Sequence, residues 1–97
     1  MGNNIQTLIT AIRMLEQELF KRKTIKMANG YVVDTNKGYT LLQASVLPNN
    51  NGFRFLLRTF DHPMNSDVSC DLTELIMKDG RVYDETEWVQ ALMKGVA

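Results

Sequence analysis

One cysteine, one histidine, two prolines and no net charge deprive several functions of their raw material. The lone Cys70 excludes an intramolecular disulfide framework and a zinc knuckle built from cysteines alone. His62, the only histidine, makes a poor zinc set with it, because a structural site needs four ligands. No apolar run approaches the twenty or so residues that a membrane-spanning helix requires. The opening "MGNNIQTLIT" has neither the basic region nor the apolar stretch of a secretory signal. Gly2 would suit N-myristoylation, but that motif wants Ser or Thr at position 6, where Gln6 stands. There is no glycine-rich phosphate loop, no histidine-rich metal spacing and no nucleophile elbow. These absences lead to the expectation of a cytoplasmic, non-enzymatic protein with no cofactor, no metal and no membrane partner.

What is present is an ordinary globular composition, 44% hydrophobic and 23% charged, over a length that fits one domain. A single α+β domain over residues 1–97 is expected. The charges are unevenly placed. Residues 1–60 carry eight basic and three acidic side chains, a net of +5, and residues 61–97 carry three and eight, a net of −5. Two readings follow: a basic partner site with an acidic remainder, or two halves that pack together and complement each other.

The segment "NNIQTLITAIRMLEQELFKR" predicts a helix over about residues 4–22. Ile5, Leu8, Ile12, Leu15 and Leu19 recur at alternating spacings of three and four, and Ile9 widens the stripe. Asn3 and Gln6 suit a capped start, and Lys21, Arg22 and Lys23 suit the negative end of the helix dipole. The seam could serve a coiled-coil dimer, but its next positions are Arg22 and Lys26, so it is short. Strands follow near 24–28, 31–35, 39–47 and 53–60. Asn29-Gly30, Asn36-Lys37-Gly38 and the Pro48–Gly52 stretch mark the turns between them. Short turns make neighbouring strands antiparallel, hence a meander. In "DLTELIMKDG" the spacing of Leu72, Leu75 and Ile76 reads as a helix, with Ser69 or Asp71 as cap and Gly80 as stop. A strand at 68–72 competes with that reading. "DETEWVQALMKG" predicts a final helix capped by Asp84 and Glu87, with Trp88, Leu92 and Met93 as its apolar face and Gly95 as its end. The expected fold is a long N-terminal helix, a three- to four-stranded antiparallel meander, and one or two C-terminal helices packed on the sheet.

"NGFRFLLRTFDHPMN", residues 51–65, is the stretch richest in chemistry. Alternation puts Phe53, Phe55, Leu57 and Thr59 on one face, the evident core side. Arg54, Leu56, Arg58 and Phe60 fall on the other, an arginine–aromatic combination enriched at interfaces. Gly52, Phe53, Phe55 and Leu56 also fit part of the aromatic motif of RNA-recognition domains, but Asn51, Arg54 and Arg58 depart from it. The helix–meander–helix order is also wrong for that fold. Asp61-His62-Pro63 reads first as a turn.

Three functions are carried forward. The leading one is a small protein-binding module, a regulator or inhibitor acting through a partner protein, or a self-associating homodimer. Its candidate surface is Arg54, Leu56, Arg58 and Phe60, with the basic helix end beside it. The second is a nucleic-acid binder using Lys21, Arg22, Lys23, Lys26 and the two strand arginines. The third is a cysteine-dependent enzyme pairing Cys70 with His62, which nothing else in the sequence supports.

Overall fold

The computed structural model describes residues 3–48, 51–61 and 72–95. The chain is an α+β domain with the order α1 (Asn3–Arg22), β1 (Thr24–Lys26), β2 (Val32–Asp34), a 3-10 turn (Thr35–Lys37), β3 (Tyr39–Val46), β4 (Phe53–Thr59), β5 (Leu72–Lys78), β6 (Arg81–Tyr83) and α2 (Glu85–Met93). The strands β3-β4-β5-β6 form one antiparallel meander, and β1-β2 form a separate hairpin. Among the described residues no helix is long and apolar enough to cross a membrane.

The long helix forms where the 3.6-residue period placed it, but its buried stripe is rotated. Ala11, Leu15 and Leu19 are buried, whereas Ile5 is 65% exposed and Ile9 is also exposed. Ala11 joins Leu15 and Leu19 in the buried stripe, and Leu8 and Ile12 beside them are half-buried. The expected cap by the Asn3 side chain lies outside the described residues. At its other end Lys23 takes the left-handed conformation, φ 67°, and its amide donates to the Leu19 carbonyl at 2.9 Å. That is the usual way to close a last helical turn, with lysine in place of the favoured glycine.

The core side of the sheet is set by register. Leu41 faces Leu57, Ala44 faces Phe55, Phe55 faces Leu75, and Met77 faces Val82. These residues, the three α1 side chains, and Ile25 and Val33 of the β1-β2 hairpin make one cluster. Fully burying an aliphatic or aromatic side chain of this kind is worth about 1.5–3 kcal/mol. Ile76 and Ala91 are also buried but stand outside that cluster. They belong to a smaller second core where α2 meets β5.

The helical spacing of Leu72, Leu75 and Ile76 does not make a helix. Residues 72–78 are β5, and Gly80 is a hairpin turn rather than a helix stop. Asp79 and Gly80 both have positive φ, 54° and 75°, as a two-residue turn matched to strand twist demands. Residues 68–71, with the proposed caps Ser69 and Asp71, lie outside the described residues. The chain therefore has one described C-terminal helix. It is capped by Asp84 and Glu87 as expected, each side chain accepting from the other's amide. Its buried residue is Ala91, while Leu92 and Met93 are exposed, which corrects the expected apolar face.

Two substitutions test this packing. Thr73 is 2% exposed, and its buried hydroxyl has no hydrogen-bond partner among the described residues. Thr73→Val should stabilise by about 1 kcal/mol, raising the melting temperature by roughly 4–8 °C. Gly52 has φ 142°, and a β-carbon there would collide with the Met77 carbonyl oxygen. Gly52→Ala should destabilise by at least about 2 kcal/mol. Both are read by thermal or urea unfolding.

Candidate functional site

Because successive strand residues point to opposite faces, the side of the meander turned away from α1 is fixed by the same register. It carries Thr40, Gln43 and Ser45 from β3, Arg58, Leu56 and Arg54 from β4, and Leu72, Glu74, Ile76 and Lys78 from β5. Arg81 and Tyr83 complete it from β6. Arg54 and Arg58 are exposed, and Leu56 is half-buried between them. Three of the four expected surface residues therefore stand together on this face. Phe60 follows the end of β4, half-exposed, with its amide donating to the Gly38 carbonyl at 3.1 Å.

The outer face is basic. Arg54, Arg58, Lys78 and Arg81 share it with one acid, Glu74, which pairs diagonally with Arg54 at 3.2 Å. Both members of that pair are about half-exposed, so it orders the arginine more than it stabilises the fold. Gln43, Ser45, Arg54, Leu56 and Glu74 enclose a shallow cleft of about 220 Å³. At the β6 end the Arg81 guanidinium lies 5.0 Å from the Tyr83 ring centre, and Trp88 of α2 meets Tyr83 edge-on at 5.4 Å. Lys78, Arg81, Tyr83 and Trp88 are not among the residues expected on this surface. The Asp79-Gly80 pair, read as a hairpin turn, would have placed Lys78 and Arg81 opposite each other.

The basic helix end does not join this face. Arg22 is turned into the protein. Its Nε donates to Glu18 at 2.7 Å, one terminal nitrogen to Glu87 at 2.6 Å, and the other to the Val82 carbonyl at 2.6 Å, with Asp84 at 4.0 Å. Burial alone would lower the Arg22 pKa, but Glu18 and Glu87 outweigh it and the net shift is upward. Burial likewise pushes the Glu87 carboxyl up, and the Asp84 amide and Arg22 together hold it below its ordinary value. Asp84 also accepts the Lys26 amide at 2.9 Å, and Thr86 donates to the Met27 carbonyl at 2.7 Å. The corner therefore locks α1, the β1-β2 hairpin and α2 together. Lys21, Lys23 and Lys26 remain exposed beside it, and Lys26 belongs to the separate β1-β2 hairpin rather than to the meander.

The charge asymmetry is answered in part internally. Arg22 with Asp84 and Glu87, Lys37 with Asp61 at 3.0 Å, and Arg54 with Glu74 each join a base of the first half to an acid of the second. Asp61 is mostly buried and also accepts the Asp34 amide at 2.7 Å, tying the end of β4 to β2. It raises the pKa of Lys37 through that hydrogen bond. Tyr39 is raised too, by burial first and then by Glu16. His62 and Cys70 lie outside the described residues. No family model matches the chain, nor does any curated protein or solved structure.

The corner makes two measurable demands. Arg22→Ala leaves the Glu87 and Asp84 carboxylates without their cation and should cost about 2–4 kcal/mol in urea unfolding. Since the folded Glu87 pKa lies below its unfolded value, its contribution is complete above the ordinary value of 4.5. It fades as pH falls through the lowered folded value. Glu87→Gln should flatten that acid limb of a stability-versus-pH curve.

Proposed function

We propose that this protein is a small non-enzymatic binding module, a regulator or inhibitor that acts by capturing another protein on the outer face of its meander. The observation that supports this reading is a sheet face not covered by α1, with Arg54 and Arg58 exposed on either side of Leu56. A sheet face needs a partner only where its apolar residues outnumber what water tolerates, and this one is mixed. Such a face stays soluble alone and supplies arginine and leucine to an interface. Phe60, half-exposed past the end of β4, extends it.

A nucleic-acid reading would rest on Lys21, Lys23 and Lys26 together with the strand arginines. Arg22 is committed to Glu18, Glu87 and the Val82 carbonyl, and Lys26 lies in a different sheet from Arg54 and Arg58. That arrangement favours a compact protein epitope over a continuous phosphate track.

The test is a double substitution, Arg54→Glu with Arg58→Glu, in a bait protein presented to extract from its native host. Both side chains are exposed, so the fold should survive, as checked by an unchanged circular dichroism spectrum and a melting temperature within a few degrees. Partner recovery should fall at least tenfold. Equal recovery would remove this face from the assignment. Retention on mixed DNA or RNA at low salt, falling steeply with added salt, would replace the protein-binding reading with the nucleic-acid one.

A further inference from the structure

The meander has two edges, and they are finished differently. The β6 edge is closed: Arg22 donates to the Val82 carbonyl, and the Glu85 side chain accepts the Glu74 amide at 3.3 Å where β6 ends. The β3 edge pairs with β4 on one side only, and among the described residues no strand pairs with its other side. β3 is the longest strand, eight residues, about 26 Å at a strand's rise. Its sequence, YTLLQASV, contains no charge and no proline. Lone edge strands are usually blunted by lysine, proline, short length or a bulge, and of these β3 has only the last. Here the single irregularity is a bulge between Leu41 and Gln43, with Leu42 exposed at it.

The flank of α1 beside this edge is equally unprotected. Thr7, Thr10 and Met14 line a groove with Met77, Asp79 and Gly80, and Gln17 and Lys21 line another with Gly80 and Val82. That side of the helix therefore faces β6. At 100° per residue the opposite flank holds Ile5, Ile9, Glu16 and Phe20, and Glu16 raises the pKa of Tyr39 at the start of β3. Phe20 is 81% exposed, and Val46 at the end of β3 is 54% exposed.

We propose that the occupant of this edge is a second copy of the chain, with β3 pairing antiparallel to its counterpart across a two-fold axis normal to the sheet. Three features select a second copy. An uncharged strand meets itself without like-charge contacts, and a chain with no net charge has no overall repulsion between copies. The axis sets the two α1 helices antiparallel on one side, so that the flank holding Ile5, Ile9, Glu16 and Phe20 is turned toward its own counterpart. The size also fits. A strip as long as β3 and as deep as the domain's smallest dimension, 23 Å, covers roughly 600 Å² per copy, at the lower bound for a stable interface. This inference is independent of the partner-binding reading, which uses a different surface.

The experiment is light scattering of the full chain from micromolar to millimolar concentration, beside the exposed-site variants Leu42→Lys with Val46→Lys, and Phe20→Glu. The wild type should shift from one to two chain masses as concentration rises. The strand variant should move the midpoint at least tenfold higher, with an unchanged circular dichroism spectrum. If the strand variant misfolds, Phe20→Glu carries the same test from the helix side, with a shift in the same direction. Arg54→Glu with Arg58→Glu should leave the dimer intact, so that loss of partner capture and loss of dimer are told apart. A wild type that stays monomeric at millimolar concentration would overturn the proposal. So would open-ended oligomers, or a dimer indifferent to both the strand and the helix variants.

Discussion

Arg22 is the residue on which the arrangement turns. A guanidinium cannot shed its charge, so a partly buried one must be answered by carboxylates and carbonyls. Here the answers come from Glu18 one turn back, from the Val82 carbonyl, and from Glu87 in the first turn of α2. Glu87 is at the same time half of the cap that starts α2, and Asp84, the other half, holds the Lys26 amide. One cation thereby fixes where α1 stops, where α2 starts and where the β1-β2 hairpin lies. Satisfying it closes the β6 edge of the sheet, and with α2 over Ile76 it leaves the β3 edge and the β3-β4 part of the outer face as the open surfaces.

Where the sequence was readable, the reason was local. The period of α1, the Asn29-Gly30 turn and the Asp84–Glu87 cap are all set by residues within four positions of one another. The alternation of β4 was clean because one face is core and the other is not, so the period of two by itself groups Arg54, Leu56 and Arg58. β5 was ambiguous for the opposite reason. Thr73, Leu75 and Met77 pack toward α1, and Ile76 is buried on the other side near α2. Burial on both sides erases the period of two and leaves a run that mimics a helix.

The failures at α1 and its end have a different cause. Leu8, Ile12, Leu15 and Leu19 keep the predicted stripe, but its edge runs through the small Ala11 rather than through Ile5 and Ile9. Nothing within the helix states that preference. Arg22 looked like one of four equivalent cations because two of its partners, Val82 and Glu87, lie sixty and more residues away. Pairing across that distance is a property of the topology, and no window along the chain contains it.

The corner at Arg22 has a consequence for how the domain comes into being. Every long-range bond it makes requires residues between Val82 and Glu87. Until those residues have been synthesised, the end of α1 carries an unanswered charge and the β1-β2 hairpin has no neighbour to hold its Lys26 amide. Closing so long a segment costs entropy that only the completed sheet can offset. The corner itself can therefore close only once the last strand and helix are present. A nascent chain stopped short of Asp84 can still tie Thr35 to the Leu19 and Lys23 carbonyls, but it lacks the carboxylates that answer Arg22 and hold the Lys26 amide.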